Sequence, residues 1–141
     1  MKIALIQQHS TKDKNDNIER ELKAVEEAAS KGTELIAFPE LSFDFFYPQY
    51  PDYREAFDSA ESIPGPTTDL FSKKAKELQT VLVINLFERD GENTYDTSII
   101  INRKGRSSHF CWRIFCYRPG GKNNCKSSCV RRLHPLCRYR F

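Results

Sequence analysis

The chain has 141 residues, of which 39% are hydrophobic, and this size suits one ordinary domain. No stretch approaches the roughly 20 consecutive apolar residues of a transmembrane helix, so we expect no membrane-spanning segment. The net charge of +3 is unevenly distributed: residues 1–106 carry −5, and residues 107–141 carry +8 with no acidic residue. All five cysteines also lie after residue 106. The composition therefore predicts a domain over residues 1–106 and a basic, cysteine-rich tail over 107–141 outside that domain.

The first 38 residues show the pattern of a strand, a helix and a second strand. Lys2–Gln7 is predicted to be a strand because its centre is apolar. Asp16 is the expected cap of the helix that follows, and Gly32 is expected to stand just beyond its end. One helix face is apolar, and it is formed by Ile18, Leu22, Val25 and Ala29. Leu35–Phe38 is predicted to be a buried strand, which completes a βαβ unit.

Glu40 follows this second strand directly, after Pro39, which cannot donate a hydrogen bond to a sheet. Ligands of open α/β sheets bind at the carboxyl ends of the strands, so Glu40 is a candidate general base. We expect apolar surroundings for it, because aromatic residues follow. In that aromatic segment, Phe46 and Tyr47 are predicted to contact substrate. The alternatives are that Glu40 only caps the turn and that the aromatic side chains only cover the core.

The rest of the first region predicts one more helix and two more strands. Thr67 or Thr68 is expected to cap the helix, after a rigid turn rich in proline. The third strand is predicted at Val81–Leu86 and the fourth at Thr97–Asn102. Asp90-Gly91 between them is a turn signal.

Four blocks of this region resemble the carbon–nitrogen hydrolases of the nitrilase superfamily. They are Ile3–Gln7, Leu35–Leu41, Ile63–Thr67 and Tyr95–Gly105, in the family's order. The resemblance covers the amino-terminal part of the family domain, over residues 1–106. The phenylalanine-rich stretch after Glu40 looks most like the N-carbamoyl amidohydrolases of the superfamily.

The resemblance implies an α/β fold, namely an α-β-β-α sandwich, which this chain would form incompletely. The composition after residue 106 predicts an unstructured or irregular tail. The resemblance also implies a catalytic set of glutamate, lysine and cysteine, in which Glu40 matches the general base. The cysteine thiolate would attack a small-molecule amide or carbamoyl group, and the lysine would stabilise the oxyanion. No cofactor and no metal are expected. Asp96 stands where that block commonly has asparagine, and we attach no function to it.

The lysine and the cysteine of the set have no clear counterpart in this chain. Arg113 falls near the expected lysine position, but arginine is a poor substitute in a tight oxyanion site. Cys116 follows only 76 residues after Glu40, which is too early for the family nucleophile. We therefore expect a truncated, inactive member. It would expose an unpaired sheet edge and an apolar face, so self-association is also expected.

The tail permits three interpretations. It is consistent with an aberrant terminus from a frame disruption or altered splicing, because it lacks acids and periodicity. It could instead bind zinc, although the spacing fits no standard finger, through Cys125, Cys129, His134 and Cys137. Its charge of +8 and its aromatic residues could bind nucleic acid, but a basic run is more often disordered, so we expect no nucleic-acid partner.

Two further expectations concern cofactors and location. The chain contains neither a glycine-rich phosphate loop nor a dinucleotide fingerprint. The apolar run Ile3–Ile6 is too short for a secretory signal, and residues 1–106 contain no cysteine. A cytoplasmic location is the expectation.

Overall fold

The computed structural model describes residues 1–46, 55–91 and 93–112. Within these residues, one five-stranded sheet is combined with three helices, which confirms the mixed α/β class. In chain order the elements are β1 (Ile3–Leu5), α1 (Lys14–Ser30), β2 (Leu35–Ala37), α2 (Glu55–Ser59), α3 (Pro66–Leu78), β3 (Val81–Asp90), β4 (Asn93–Ile101) and β5 (Ser107–Trp112).

The sheet has the strand order β1-β2-β3-β4-β5. The first three strands are parallel, and β4 and β5 are antiparallel to their neighbours. Because β1 and β2 run parallel and α1 connects them, the predicted βαβ unit is present. In register, Ala4 pairs with Ile36, and Ile36 pairs with Leu82.

One face of the sheet packs against α1 and α3 and forms the main core. Phe71 of α3 is fully buried there, and its ring lies 4.9 Å from that of Phe43 and 6.0 Å from that of Phe38. Phe43 therefore serves the core, as the alternative interpretation of the aromatic segment had it. The other buried members of this core are Val25, Ala28, Ile36, Ala75, Leu82, Ile84, Leu86, Ile99 and Ile101.

Helix α1 begins earlier than its expected cap. Asp13, and not Asp16, is the N-cap: its Oδ1 accepts hydrogen bonds from the backbone N–H groups of Asn15 (2.9 Å) and Asp16 (3.1 Å). Asp16 lies in the first turn, where its negative charge still favours the helix amino terminus. The expectation for Gly32 is confirmed, since it has a φ of 76° just beyond the end of the helix.

Helix α3 also begins before the predicted cap. Its N-cap is Gly65, and Pro66 is its first residue, a position where the missing N–H of proline costs nothing. Thr68 contributes from inside the helix, because its hydroxyl accepts from the Gly65 N–H (2.6 Å) and donates to the Gly65 carbonyl (2.8 Å). A Cβ at Gly65 would lie 2.2 Å from the Ser62 carbonyl oxygen, so this close approach requires glycine.

The hairpin of β3 and β4 extends beyond both predicted strands. It is paired from Leu82 and Ile101 as far as Asp90 and Asn93, and Gly91 turns the chain with a φ of 62°. The predicted strands covered only the apolar stretch, whereas the ladder continues through polar residues because backbone groups form it. The sheet also continues past Arg106 into β5, which pairs with β4.

The second face of the sheet carries an apolar row. Leu5, Ala37, Val83 and Ile100 pair in register across four strands, so they share one face. Leu5 is 80% exposed and Ile100 is 38% exposed. Large exposed apolar patches mark interaction surfaces or aggregation sites.

We expect the purified chain to self-associate through this apolar row, because association removes the row from water. Sedimentation velocity should detect dimers or larger species, and Leu5→Lys should shift the distribution to monomer. Ser30→Lys adds the same charge at the end of α1 and should leave the distribution unchanged. A monomeric wild-type chain, or equal effects of both substitutions, would contradict the expectation.

Candidate functional site

Glu40 lies at the carboxyl end of β2, an inner strand of the sheet. Phe38 N–H still donates to the Val83 carbonyl at 2.9 Å, which extends the β2–β3 ladder by one residue. Pro39 has no N–H and ends the ladder, and a turn containing Glu40 follows. The sequence prediction that Glu40 follows the strand directly is thus confirmed in position. The expectation of apolar burial is wrong, because Glu40 is exposed.

Asn85 of β3 connects the turn after β2 to β4. Its Oδ1 accepts from the Leu41 backbone N–H at 2.7 Å. Its Nδ2 donates to Asp96 Oδ1 at 2.5 Å and to Ser98 Oγ at 3.1 Å. Leu41 has a φ of 51°, and this unusual backbone lies directly beside Glu40. One buried amide therefore fixes the chain next to Glu40 and the polar side chains of β4 at the same time.

These residues line a pocket of about 260 Å³. Its walls are partly polar and partly apolar, and they are formed by Phe38, Glu40, Val83, Ile84, Asn85, Asp96 and Ser98. Neither a lysine nor a cysteine is among the described residues that line it. The pocket is close to the lower end of typical ligand sites, about 300 Å³, so its size favours a small molecule.

Asp96, and not Glu40, is the buried carboxyl of this pocket. It is 4% exposed. Burial first, and then the hydrogen bond and the charge of Glu40, raise the pKa of Asp96 from 3.8 to about 7, against the opposing hydrogen bond from Asn85. Sequence reasoning missed this residue. The available signal was the aspartate itself, which departs from the asparagine of the resembling block.

A second buried cluster supports the chain that follows Glu40. Lys14, the first residue of α1, lies 3.0 Å from Glu61 Oε1 and 3.6 Å from Asp44 Oδ1, and its ammonium donates to the Ser59 carbonyl at 2.7 Å. Glu61 Oε2 accepts from the Thr67 backbone N–H at 2.9 Å. Burial raises the pKa of Asp44, while Lys14 opposes that rise. The cluster thus joins α1, the segment after β2 and the start of α3.

The other predicted site residues lie away from this pocket or outside the described part. Phe46 is 46% exposed and is not among the residues that line the pocket. Tyr47, Arg113 and Cys116 fall outside the described residues. The same holds for the zinc-ligand candidates Cys125, Cys129, His134 and Cys137. Within the described ranges, no group of three or more His, Cys, Asp or Glu side chains could hold a metal ion. Of the helices in those ranges, none has the length and apolar character to cross a membrane.

A family model described as Carbon-nitrogen hydrolase matches residues 2–118, beyond the compositional border at Arg106. The chain is 33% identical over 101 residues to a nitrilase of Paraburkholderia phymatum, which covers 62% of this chain and 28% of that protein. It is 34% identical over 105 residues to a chloroplastic omega-amidase of Arabidopsis thaliana, covering 73% of this chain and 28% of that protein.

A solved structure of similar fold is that of a CN-hydrolase superfamily protein from Xanthomonas campestris. The TM-score is 0.66 at 21% identity, and the match covers 77% of this chain and 39% of the other. This likeness confirms the nitrilase-type α/β fold. The chain spans little more than a quarter of the length of the two curated relatives, 28% of each. The predicted resemblance to the carbon–nitrogen hydrolase family is therefore confirmed. The two curated relatives are named nitrilase and omega-amidase, and neither name is that of the predicted N-carbamoyl amidohydrolase subtype.

Proposed function

The chain belongs to the carbon–nitrogen hydrolase family. We propose that it supplies the general base of an active site that hydrolyses small amides. Glu40 is the base of this site. One observation carries the proposal: Glu40 stands at the carboxyl end of β2 and opens into a pocket with fixed hydrogen-bonding partners. The chemistry is amidase or N-carbamoyl amidohydrolase chemistry at a non-peptide C–N bond.

The pocket's size and polarity support a small amide or carbamoyl substrate. A carbamoyl group and a primary amide present the same carbonyl and NH2 atoms, so one set of polar walls suits both. The Glu40 carboxylate can accept a proton from an attacking nucleophile and later return it to the leaving amine. We assign Phe46 and Tyr47, which follow in the chain, to contacts with the rest of the substrate. A cytoplasmic location is part of the proposal and is supported by the cysteine-free residues 1–106.

Ligand binding tests the proposal without requiring turnover. Butyramide is a suitable probe, since an amidase mutant of similar fold was solved in complex with it. Saturation-transfer NMR should detect butyramide on the wild-type chain, and Glu40→Ala should weaken the signal. Glu19→Gln changes an exposed carboxyl on α1 and is the matched control. An unchanged signal in Glu40→Ala would overturn the assignment of Glu40.

We further propose that the chain alone does not turn over, because the described pocket contributes a base without a lysine or a cysteine. General-base assistance alone contributes about 10²–10⁴-fold, and removing the nucleophile from a catalytic unit removes most of its rate. Incubation with butyramide, an N-carbamoyl amino acid or a nitrile should release no ammonia above the buffer blank. Turnover that both Glu40→Gln and Cys116→Ser abolish would contradict this, and it would assign the nucleophile to Cys116.

A further inference from the structure

The Asp96 carboxyl is the group in the pocket that the proposed general-base role of Glu40 leaves unused. Asp96 lies on β4 and is 4% exposed, and it lines the same pocket as the exposed carboxyl of Glu40 from the turn after β2. Its Oδ1 accepts from Asn85 Nδ2 at 2.5 Å. The two carboxyls therefore line one pocket, and Asn85 links the segments that carry them, although they are 56 residues apart in sequence.

Two neighbouring carboxylates repel each other, so one of such a pair loses its proton only at a higher pH than an isolated carboxyl does. Glu40 is exposed, and water solvates its charge. Asp96 is buried, and ionisation there loses hydration. Below about pH 7 the proton consequently resides on Asp96. Asp96 Oδ1 is occupied as an acceptor from Asn85, which leaves Oδ2 to carry the proton.

We propose that Asp96 is a positioning residue for Glu40: its protonated carboxyl donates a hydrogen bond to the Glu40 carboxylate and holds that carboxylate at the mouth of the pocket. This inference rests on the proposed function, because the position of Glu40 matters for catalysis only if Glu40 is the general base. Asn85 completes the arrangement, because it fixes Asp96 with its Nδ2 and the Leu41 backbone beside Glu40 with its Oδ1. Glu40 is thus held from the side chain and from the backbone at once.

The arrangement depends on pH. Above about pH 7, Asp96 ionises, the hydrogen bond is lost, and the two negative charges separate. Among the described groups, the charge that acts on Asp96 is that of Glu40. Asn85 on β3, which donates to Asp96, is neutral, and so is Ser98, which lines the same pocket from β4. Glu88 on β3 accepts from the Thr97 hydroxyl instead.

Carboxyl ¹³C NMR of the folded chain tests this without substrate. In the wild type, the Asp96 carboxyl should titrate with a midpoint of about 7. In Glu40→Gln the midpoint should fall by about one pH unit or more, because the neighbouring negative charge is gone. Asp58→Asn removes an exposed aspartate on α2 and should leave the midpoint unchanged.

Two substitutions at Asp96 separate positioning from mere structural support. In the wild type, the butyramide signal should decline above about pH 7, where Asp96 ionises. Asparagine can still donate to Glu40, so Asp96→Asn should keep the signal and show no such decline. Leucine cannot donate, so a folded Asp96→Leu variant should lose the signal at every pH. If Asp96 titrates near 4 and ignores Glu40→Gln, the inference is overturned. If Glu40→Gln lowers the Asp96 midpoint but neither the wild type nor any variant binds butyramide, the positioning role stands and the proposed function fails.

Discussion

Replacing Lys14 by methionine is expected to lower the free energy of unfolding by about 3 kcal/mol at pH 8. Lys14 is the cation shared by Asp44 and Glu61, whose side chains are 3% and 12% exposed. Without the ammonium, both carboxylates remain in the folded protein with no compensating charge. Removal of one partner of a buried ion pair is costly because it leaves such an uncompensated charge. The position is otherwise poor for a lysine, because a cation at a helix amino terminus opposes the helix dipole.

The effect of Lys14→Met should depend on pH. Burial already raises the pKa of Asp44, and removal of Lys14 raises it further, so a fall in pH protonates the Asp44 carboxyl more readily in the variant than in the wild type. The loss should therefore be largest at pH 8 and smaller at pH 5, measured by urea unfolding at both values. Lys31→Met breaks an ion pair with Glu27 in which both side chains are more than half exposed, and it should cost much less. Equal losses for the two variants would show that the buried cluster does not hold the segment after Glu40.

The second large effect concerns Glu21, which is 1% exposed in the middle of α1. Its Oε2 has no hydrogen-bond partner among the described residues. Burial raises the pKa of Glu21 from 4.5 to about 7, against a smaller opposing effect of Arg20. A folded-state pKa above the unfolded value means that stability is fully present below pH 4.5 and is lost as the pH rises through about 7.

Glu21→Gln should remove this loss, because the amide cannot ionise. The free energy of unfolding of the variant should exceed that of the wild type by about 3 kcal/mol at pH 8, and the two should differ little at pH 4.5. Urea unfolding at the two pH values measures this. Glu19→Gln, an exposed neighbour on the same helix, should change stability little at either pH. A Glu21→Gln variant that gains nothing between pH 4.5 and pH 8 would mean that the Glu21 carboxyl is solvated in the folded chain.

Local patterns predicted β1 to β4, α1 and α3, but they missed α2 and β5 and did not give all of the element ends. The apolar periodicity of α1 and the apolar runs of β2 and β3 were sufficient to predict these elements, because an element that buries one face has apolar residues at the spacing of that face. Asp16 was chosen as a cap for its neighbours in sequence, whereas Asp13 is the residue whose backbone lies outside the helix and whose carboxylate reaches two N–H groups. At α3, the close approach of Ser62 to Gly65 set the boundary, and that contact exists only in the folded turn.

The sequence by itself determined where Glu40 stands. Pro39 has no N–H to donate to the ladder of β2, so the strand is expected to end there and Glu40 to follow at its carboxyl end. Only the tertiary structure decided what Glu40 meets there. The β3–β4 register brings Asp96 and Asn85 to the end of β2, and hydrogen bonds formed between distant segments complete the pocket. The spacing of residues within one segment does not indicate which residues of two other strands will lie beside that segment in the fold. Burial and proton affinity also depend on that packing, so the sequence identified one carboxyl of the site, and the fold decided that Asp96 is the buried one, whose pKa that burial raises.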